Sequence, residues 1–151
     1  MDYLVIDSIK FITRELKKMS KCAFCNIINR ECESKLIYET ESIVSFLDRD
    51  PINEGHLLIV PKIHVDSIEK VSLEVLNEMF ILVQKIVPIY KKIYRVEGYS
   101  IMQNGGQFCD FGHFHLHLFP RYPNDGFGWT YPKGPFEYSQ KVAERIRKEL
   151  E

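Results

Sequence analysis

The sequence predicts an α+β domain built on an antiparallel sheet. Three features carry that reading: five short β-rich runs, one long stretch of helical periodicity between the third and fourth of them, and polar turns rather than helices joining the first three. A parallel βαβ series would need a helix at every crossover. With 151 residues, 45% of them hydrophobic, the chain can bury one core and is too short for two full domains.

In residues 4–19, Val5, Ile9, Ile12, Leu16 and Met19 recur at helical spacing with Lys17 and Lys18 in the last turn, which predicts an amphipathic N-terminal helix. It stops at a knuckle containing Cys22 and Cys25. "LIYET" (36–40) and "SIVSFLD" (42–48) are β-rich runs, and "HLLIVP" (56–61) is a third, introduced by the turn-forming "DPINEG". Together they suggest an antiparallel meander. Ser72 is an N-cap for a long helix running to about Glu97 through Val75, Leu76, Met79, Val83, Ile86, Val87, Tyr90 and Tyr94, with a kink expected at Pro88. Beyond Gly98, "YSIMQN" (99–104) and "HFHLHLF" (113–119) read as two further strands, separated by a loop that begins "GGQ". "PNDGFGWTYPKGP" has loop composition, and "EYSQKVAERIRKELE" closes the chain as a charged helix.

Twenty Lys and Arg against 21 Asp and Glu give a net charge of −1, so no global field draws this chain to a nucleic-acid polymer or an anionic membrane. Any phosphate recognition must be local. Asp2, Asp7 and Lys10 interrupt the first apolar run before it reaches signal-peptide length, and no span is long enough to cross a bilayer. Without a signal, the four cysteines read as reduced thiols or metal ligands, which points to the cytoplasm.

Three of the five histidines fall within residues 112–122. In a strand, His113, His115 and His117 share one face while Phe114, Leu116 and Leu118 share the other. Neighbouring histidines then stand roughly 6.5–7 Å apart at the backbone and the outer two roughly 13 Å. Two neighbours can bind one metal ion, but three cannot unless the strand bends, because metal–nitrogen bonds are only about 2 Å long. A nucleophilic site, a metal-assisted hydrolase and a solvent-facing strand without chemistry remain as alternatives. Near-neutral imidazoles are the usual instruments of proton transfer and nucleophilic attack, which favours the first.

"HFHLHLF" fits the His-Φ-His-Φ-His-Φ-Φ signature (Φ hydrophobic) and resembles the histidine triad family of nucleotide hydrolases and transferases. "CAFCNII", "FLDRDPINEGHLLIVPKIH" and "QNGG" resemble further family segments in the same order, and "FPRY…DGFGW" resembles a bacterial-type branch of the family. The resemblance spans about residues 22–130, leaving 1–21 as an N-terminal helical extension and 131–151 as a tail and helix. It implies a five-stranded antiparallel sheet with a long helix, a homodimer with two active sites, and a small-molecule nucleotide as substrate.

By that resemblance His115 is the nucleophile, attacking the α-phosphorus of a purine nucleotide derivative to form a nucleotidyl-imidazole. His117 would bond phosphate oxygens or the leaving group, and His56 would take an orienting role. Asp48 matches the ribose residue, since one carboxylate can accept from both the 2′ and 3′ hydroxyls, although it also suits the start of a "DRDP" turn. Arg49 joins it in the nucleotide-binding set, and Phe46 and Leu47 flank the base. The amide of Asn104 and close backbone approach at Gly105 and Gly106 would serve the phosphate. "FCDFG" departs from the polar trio common in the family: Cys109 and Asp110 stand there, an Asp110 carboxylate repels phosphate unless its contact is through the backbone N–H, and Gln107 can compensate. The bond broken would be a phosphoanhydride or phosphoramidate. Nucleotidyl transfer to another acceptor, and nucleotide binding with little catalysis, are the alternatives.

Cys22 and Cys25 form a C-x₂-C pair, the spacing at which two thiolates reach one zinc ion, though a reduced buried pair has the same spacing. In zinc-bearing branches of the family the other two ligands correspond to His64 and His113. The implied zinc is structural, and it turns His113 away from phosphate while His115 and His117 face it.

Overall fold

The computed structural model describes residues 22–136 and 138–150, so the predicted N-terminal helix at 4–19 lies outside the described residues. Five strands form one antiparallel sheet: β1 (Leu36–Glu39), β2 (Ile43–Leu47), β3 (Leu57–Pro61), β4 (Gly98–Met102) and β5 (Leu116–Arg121), in the spatial order β1-β2-β3-β5-β4. Among the described residues three α-helices accompany it, α1 (Ala23–Ile28), α2 (Leu73–Tyr94) and α3 (Gln140–Leu150).

β3 is covered on both sides. Its alternation sends Leu57 and Ile59 into the core beneath α2, where they join Met79, Leu82, Val83 and Ile86, while Leu58 and Val60 pack with Phe24, Val44 and Phe46 below α1. Ser72 caps α2 as expected, its Oγ accepting from Val75 N at 3.3 Å. The helix runs through Pro88 and ends at Tyr94, three residues short of the expected end, because Arg95 turns left-handed (φ 55°) and drops Val96 into the core. No helix among the described residues is long and apolar enough to cross a membrane. α3 buries none of its residues.

Two local features position the histidines. Gly55 adopts φ +90°, and a Cβ there would meet the Tyr94 ring at 2.6 Å, so only glycine lets the chain turn against α2 immediately before His56. The second concerns the strand expected at 113–119, which forms over Leu116–Arg121 instead. Register runs Leu57↔Leu118, Leu58↔His117 and Ile59↔Leu116, and then the ladder stops. Pro61 offers no N–H to extend it, and the His113 carbonyl is taken by an imidazole. His113 and His115 therefore sit on an extended lead-in to β5, and only His117 is a strand residue.

Candidate functional site

The alternation expected for the histidine segment holds through this lead-in. Phe114, Leu116 and Leu118 belong to the core beneath α2. On the opposite side His113 and His115 are buried and His117 is half-buried. His113 points one way and the other two another.

His56, His117 and His115 form a chain of ring-to-ring hydrogen bonds whose direction is fixed at both ends. Ile52 N–H donates to His56 Nδ1 at 3.1 Å. With Nδ1 an acceptor, neutral His56 carries its proton on Nε2 and donates to His117 Nδ1 at 3.0 Å. His117 Nε2–H then donates to His115 Nε2 at 3.0 Å, and His115 Nδ1–H donates to the His113 carbonyl at 2.7 Å. Asp48 Oδ2 also lies 3.5 Å from His56 Nδ1, but a proton there would collide with the Ile52 amide, so the shorter contact assigns the tautomer. The outcome is an unprotonated Nε2 on His115.

Electrostatics keep the chain neutral at pH 7. Burial lowers the His56 and His115 pKa values, against the opposing pull of Asp48. Burial, followed by the charges of His115 and His56, pushes His117 down to about 4. An unfolded histidine titrates near about 6.5, so the unfolded chain gains a proton that folded His117 refuses as pH falls from there to about 4. The stability it contributes is complete above that window and lost on descending through it. The urea midpoint of the wild type is therefore expected to drop more steeply with acid in this range than that of His117→Gln; equal slopes would contradict the assignment.

Beside these rings lies a cleft of about 650 Å³, whose wall includes Phe24, Ile27, Phe46, Leu58, Phe111, Asp48 and Arg49. Phe24 and Phe111 reach from the cleft to the His115 ring, with centroids 5.0 and 6.0 Å away. Asp48 joins the two regions. Its Oδ1 accepts from Asp50 N at 3.1 Å, the turn-starting role foreseen for it, while Oδ2 faces His56 and His117 at 3.5 and 3.9 Å. Of the predicted nucleotide contacts, Phe46, Asp48 and Arg49 thus line the cleft, as does Leu47. Asn104, Gly105, Gly106 and Gln107 are not on its wall; they belong to the loop between β4 and β5, where Gly106–Phe108 makes a 3₁₀ turn and Gly106 has φ +60°. Asp110, at the far end of that loop, exerts only a small upward pull on His115 and His117, whose pKa values burial lowers overall. Sequence reasoning missed Phe24, Ile27, Leu58 and Phe111 as cleft residues, since each also reads as ordinary core. It also missed Ile52, whose contribution is a backbone amide that no side-chain pattern reveals.

The predicted metal-binding cluster comes together from three separate segments. Cys22 and Cys25 flank the first turn of α1, His64 follows β3, and His113 opens the lead-in to β5; their ligand atoms all lie within 4.8 Å of one another. Individual contacts are Cys25 Sγ to His64 Nδ1 at 3.2 Å, Cys22 Sγ to His113 Nδ1 at 3.4 Å and Cys25 Sγ to His113 Nδ1 at 3.7 Å. A tetrahedral ion with bonds of about 2.0–2.3 Å needs donor pairs about 3.3–3.8 Å apart, so these residues fit one. His113 Nε2–H donates to the Pro61 carbonyl at 2.9 Å, which leaves the Nδ1 lone pair facing the sulfurs, the second contact expected of a metal-binding imidazole. Burial, then the hydrogen bond and charge of Cys22, pushes the Cys25 thiol up to about 12, so Cys25 is stable as a thiolate only beside a cation. Asp48, His56 and His117 also bring ligand atoms within 4.8 Å, but their ring nitrogens are committed to the imidazole chain.

The HIT domain family model matches residues 29–124. An adenosine 5′-monophosphoramidase of Candida albicans is 32% identical over 140 residues, covering 87% of this chain and 92% of the relative. A HIT family protein from Bacillus anthracis superimposes with a TM-score of 0.76 at 32% identity, over 85% of this chain and 94% of that one. A zinc-bound histidine triad family protein from Mycobacterium smegmatis gives 0.67 at 25% identity, over 87% and 93%.

Proposed function

This chain belongs to the HIT domain family, and from that premise we propose that it hydrolyses a nucleotide derivative at the α-phosphate through a covalent nucleotidyl-histidine on His115. The observation that carries the reading is the unprotonated His115 Nε2, accepting from His117 on a ring that Phe24 and Phe111 connect to a cleft sized for a nucleoside. The phosphoramidase relatives favour a P–N or similarly activated bond.

Each residue has a part in the reaction. The base lies between the apolar walls around Phe46 and Leu58, and Asp48 accepts the ribose hydroxyls, which directs the 5′ phosphate toward the imidazoles. His115 Nε2 attacks phosphorus; the N–P bond forms as the bond to the leaving group breaks, and the electron pair departs with that group, which takes up a proton from solvent. The His113 carbonyl stabilises the resulting cationic ring through Nδ1–H. His117 Nε2–H, released from His115, bonds a phosphoryl oxygen. Water then attacks phosphorus and releases a proton to solvent as the N–P bond breaks, its electron pair returning to His115 Nε2 and leaving a nucleoside 5′-monophosphate.

Cys22, Cys25, His64 and His113 would hold a structural zinc ion, which supplies a rigid cross-link between α1, the end of β3 and the histidine segment. We extend the reading to a cytoplasmic homodimer. Supporting it are the exposed Phe80, Ile81, Ile89 and Ile93 on α2 and the edge position of β4 with Tyr99 and Ile101 partly exposed.

Turnover of an adenosine 5′-phosphoramidate tests the substrate side. Asp48→Ala is expected to raise KM for the ribonucleotide about ten-fold or more, the loss of charge-assisted hydrogen bonds, while changing KM for the 2′,3′-dideoxy analogue little. An equal rise for both substrates would remove Asp48 from the ribose.

A further inference from the structure

The segment "PNDGFG" (123–128) takes no part in this chemistry, yet its aspartate is among the most heavily bonded side chains of the fold. Asp125, only 4% exposed, accepts from Arg121 Nε at 2.6 Å and Nη2 at 2.9 Å, from the backbone N–H of Tyr122 and Phe127 at 3.1 Å each, and from Asn53 Nδ2 at 3.0 Å. The last bond leaves the loop. Asn53 sits in the turn before His56, and its amide also donates to the Pro120 carbonyl of β5 at 2.9 Å. His56 N in turn donates to the Asn53 carbonyl at 3.1 Å. One side chain thus bolts the turn carrying the Ile52 amide to the strand carrying His117.

We propose that Asn53, held by the Asp125 carboxylate, is a positioning residue that keeps the Ile52 amide on His56 Nδ1 and so sets the proton direction of the whole imidazole chain. The proposal rests on the reading of His115 as nucleophile. A neutral chain of three imidazoles has two directions. In the observed one, a donor at Ile52 and an acceptor at His113 satisfy both ends. If the Ile52 amide withdraws, His56 is free to protonate Nδ1 and donate to Asp48 Oδ2, 3.5 Å away. His56 Nε2 then becomes an acceptor, His117 must carry its proton on Nδ1, and His115 must carry its proton on Nε2. That reversed direction removes the lone pair from the attacking nitrogen and sets the bare His115 Nδ1 against the His113 carbonyl. The same loop supports the His56 ring from behind: Phe127, under the Arg121 guanidinium, packs on Phe119, and Phe119 packs on His56 with centroids 5.0 Å apart.

Nitrogen-15 spectra of the zinc-loaded full chain, labelled at histidine, read the tautomers directly. The wild type should show Nε2–H on His56 and His117 and Nδ1–H on His115. Asn53→Ala should mix the two directions and lower kcat for the phosphoramidate about ten- to hundred-fold, with KM within about two-fold, since no cleft residue is altered. Asn53→Ser, which retains a short donor, should recover part of both readouts. A wild-type spectrum with Nδ1–H on His56 overturns the proposal whether or not the variants fold, as does an Asn53→Ala protein that loses kcat with unchanged tautomers or changes tautomer with unchanged kcat. Because the spectra need no substrate, a wild type that turns over no nucleotide counts against the hydrolase reading alone.

Discussion

His115→Asn is expected to abolish turnover, lowering kcat by about 10⁴-fold or more, while nucleotide binding stays within a few-fold of wild type. The size follows from the role: loss of a nucleophile removes the covalent route outright, and the remaining hydrogen bonds and cleft can only orient water. Binding should survive because the proposed nucleoside contacts, Phe46, Leu58 and Asp48, line the cleft independently of the ring. Asn is the informative replacement. Its shorter amide fills part of the imidazole volume without offering a nucleophilic nitrogen, so the buried lead-in is not left with a large cavity against Phe24. Rapid quench of the wild type in base, where a P–N bond to imidazole survives, should find nucleotidyl mass on the peptide containing residues 113–121, and the variant should show none. Wild-type turnover in a folded His115→Asn protein would end the nucleophile assignment, and the proton direction of the imidazole chain would lose its purpose with it.

The order and type of the strands and of the long helix were legible because turn-bounded β-rich runs and helical patterns were long enough to dominate their neighbours, as in 56–61 and 72–94, whereas the short α1 read only as a knuckle. Boundaries were less so. The histidine strand began three residues late because Pro61, on a neighbouring strand, could not extend the ladder, a fact that depends on register rather than on the segment's own pattern. Likewise the split between His113 and its two neighbours was suggested by family resemblance, not by spacing. The cleft was half legible: Asp48 and Phe46 stand in a recognisable run, whereas Phe24 and Phe111 come from segments that meet only after folding. Ile52 was invisible for another reason. Its part is played by an amide every non-proline residue possesses, and only the placement of the turn, through Gly55 and Asn53, gives that amide a specific imidazole to meet.

Removing the zinc proposed for Cys22, Cys25, His64 and His113 is expected to lower stability and activity together. The four ligands join α1, the residues after β3 and the lead-in bearing His115, so an empty cluster frees three segments at once. An ion present at about a thousand times its Kd stabilises the folded state by about 4 kcal/mol, which for a chain of this size corresponds to roughly 8–16 °C in Tm. Chelation of the holo protein should produce a fall of that order, with near-ultraviolet dichroism of the Phe24 and Phe111 region and phosphoramidate turnover lost in parallel and both restored by added zinc. Cys25→Ser should behave as the chelated protein does, without response to zinc. A metal acting at the reacting phosphate predicts something different: chelation would stop turnover while Tm held. The geometry opposes that outcome, because His113 presents its free nitrogen to the sulfurs while His115 directs its own toward His117, so a cation bound by the first is not shared with the second.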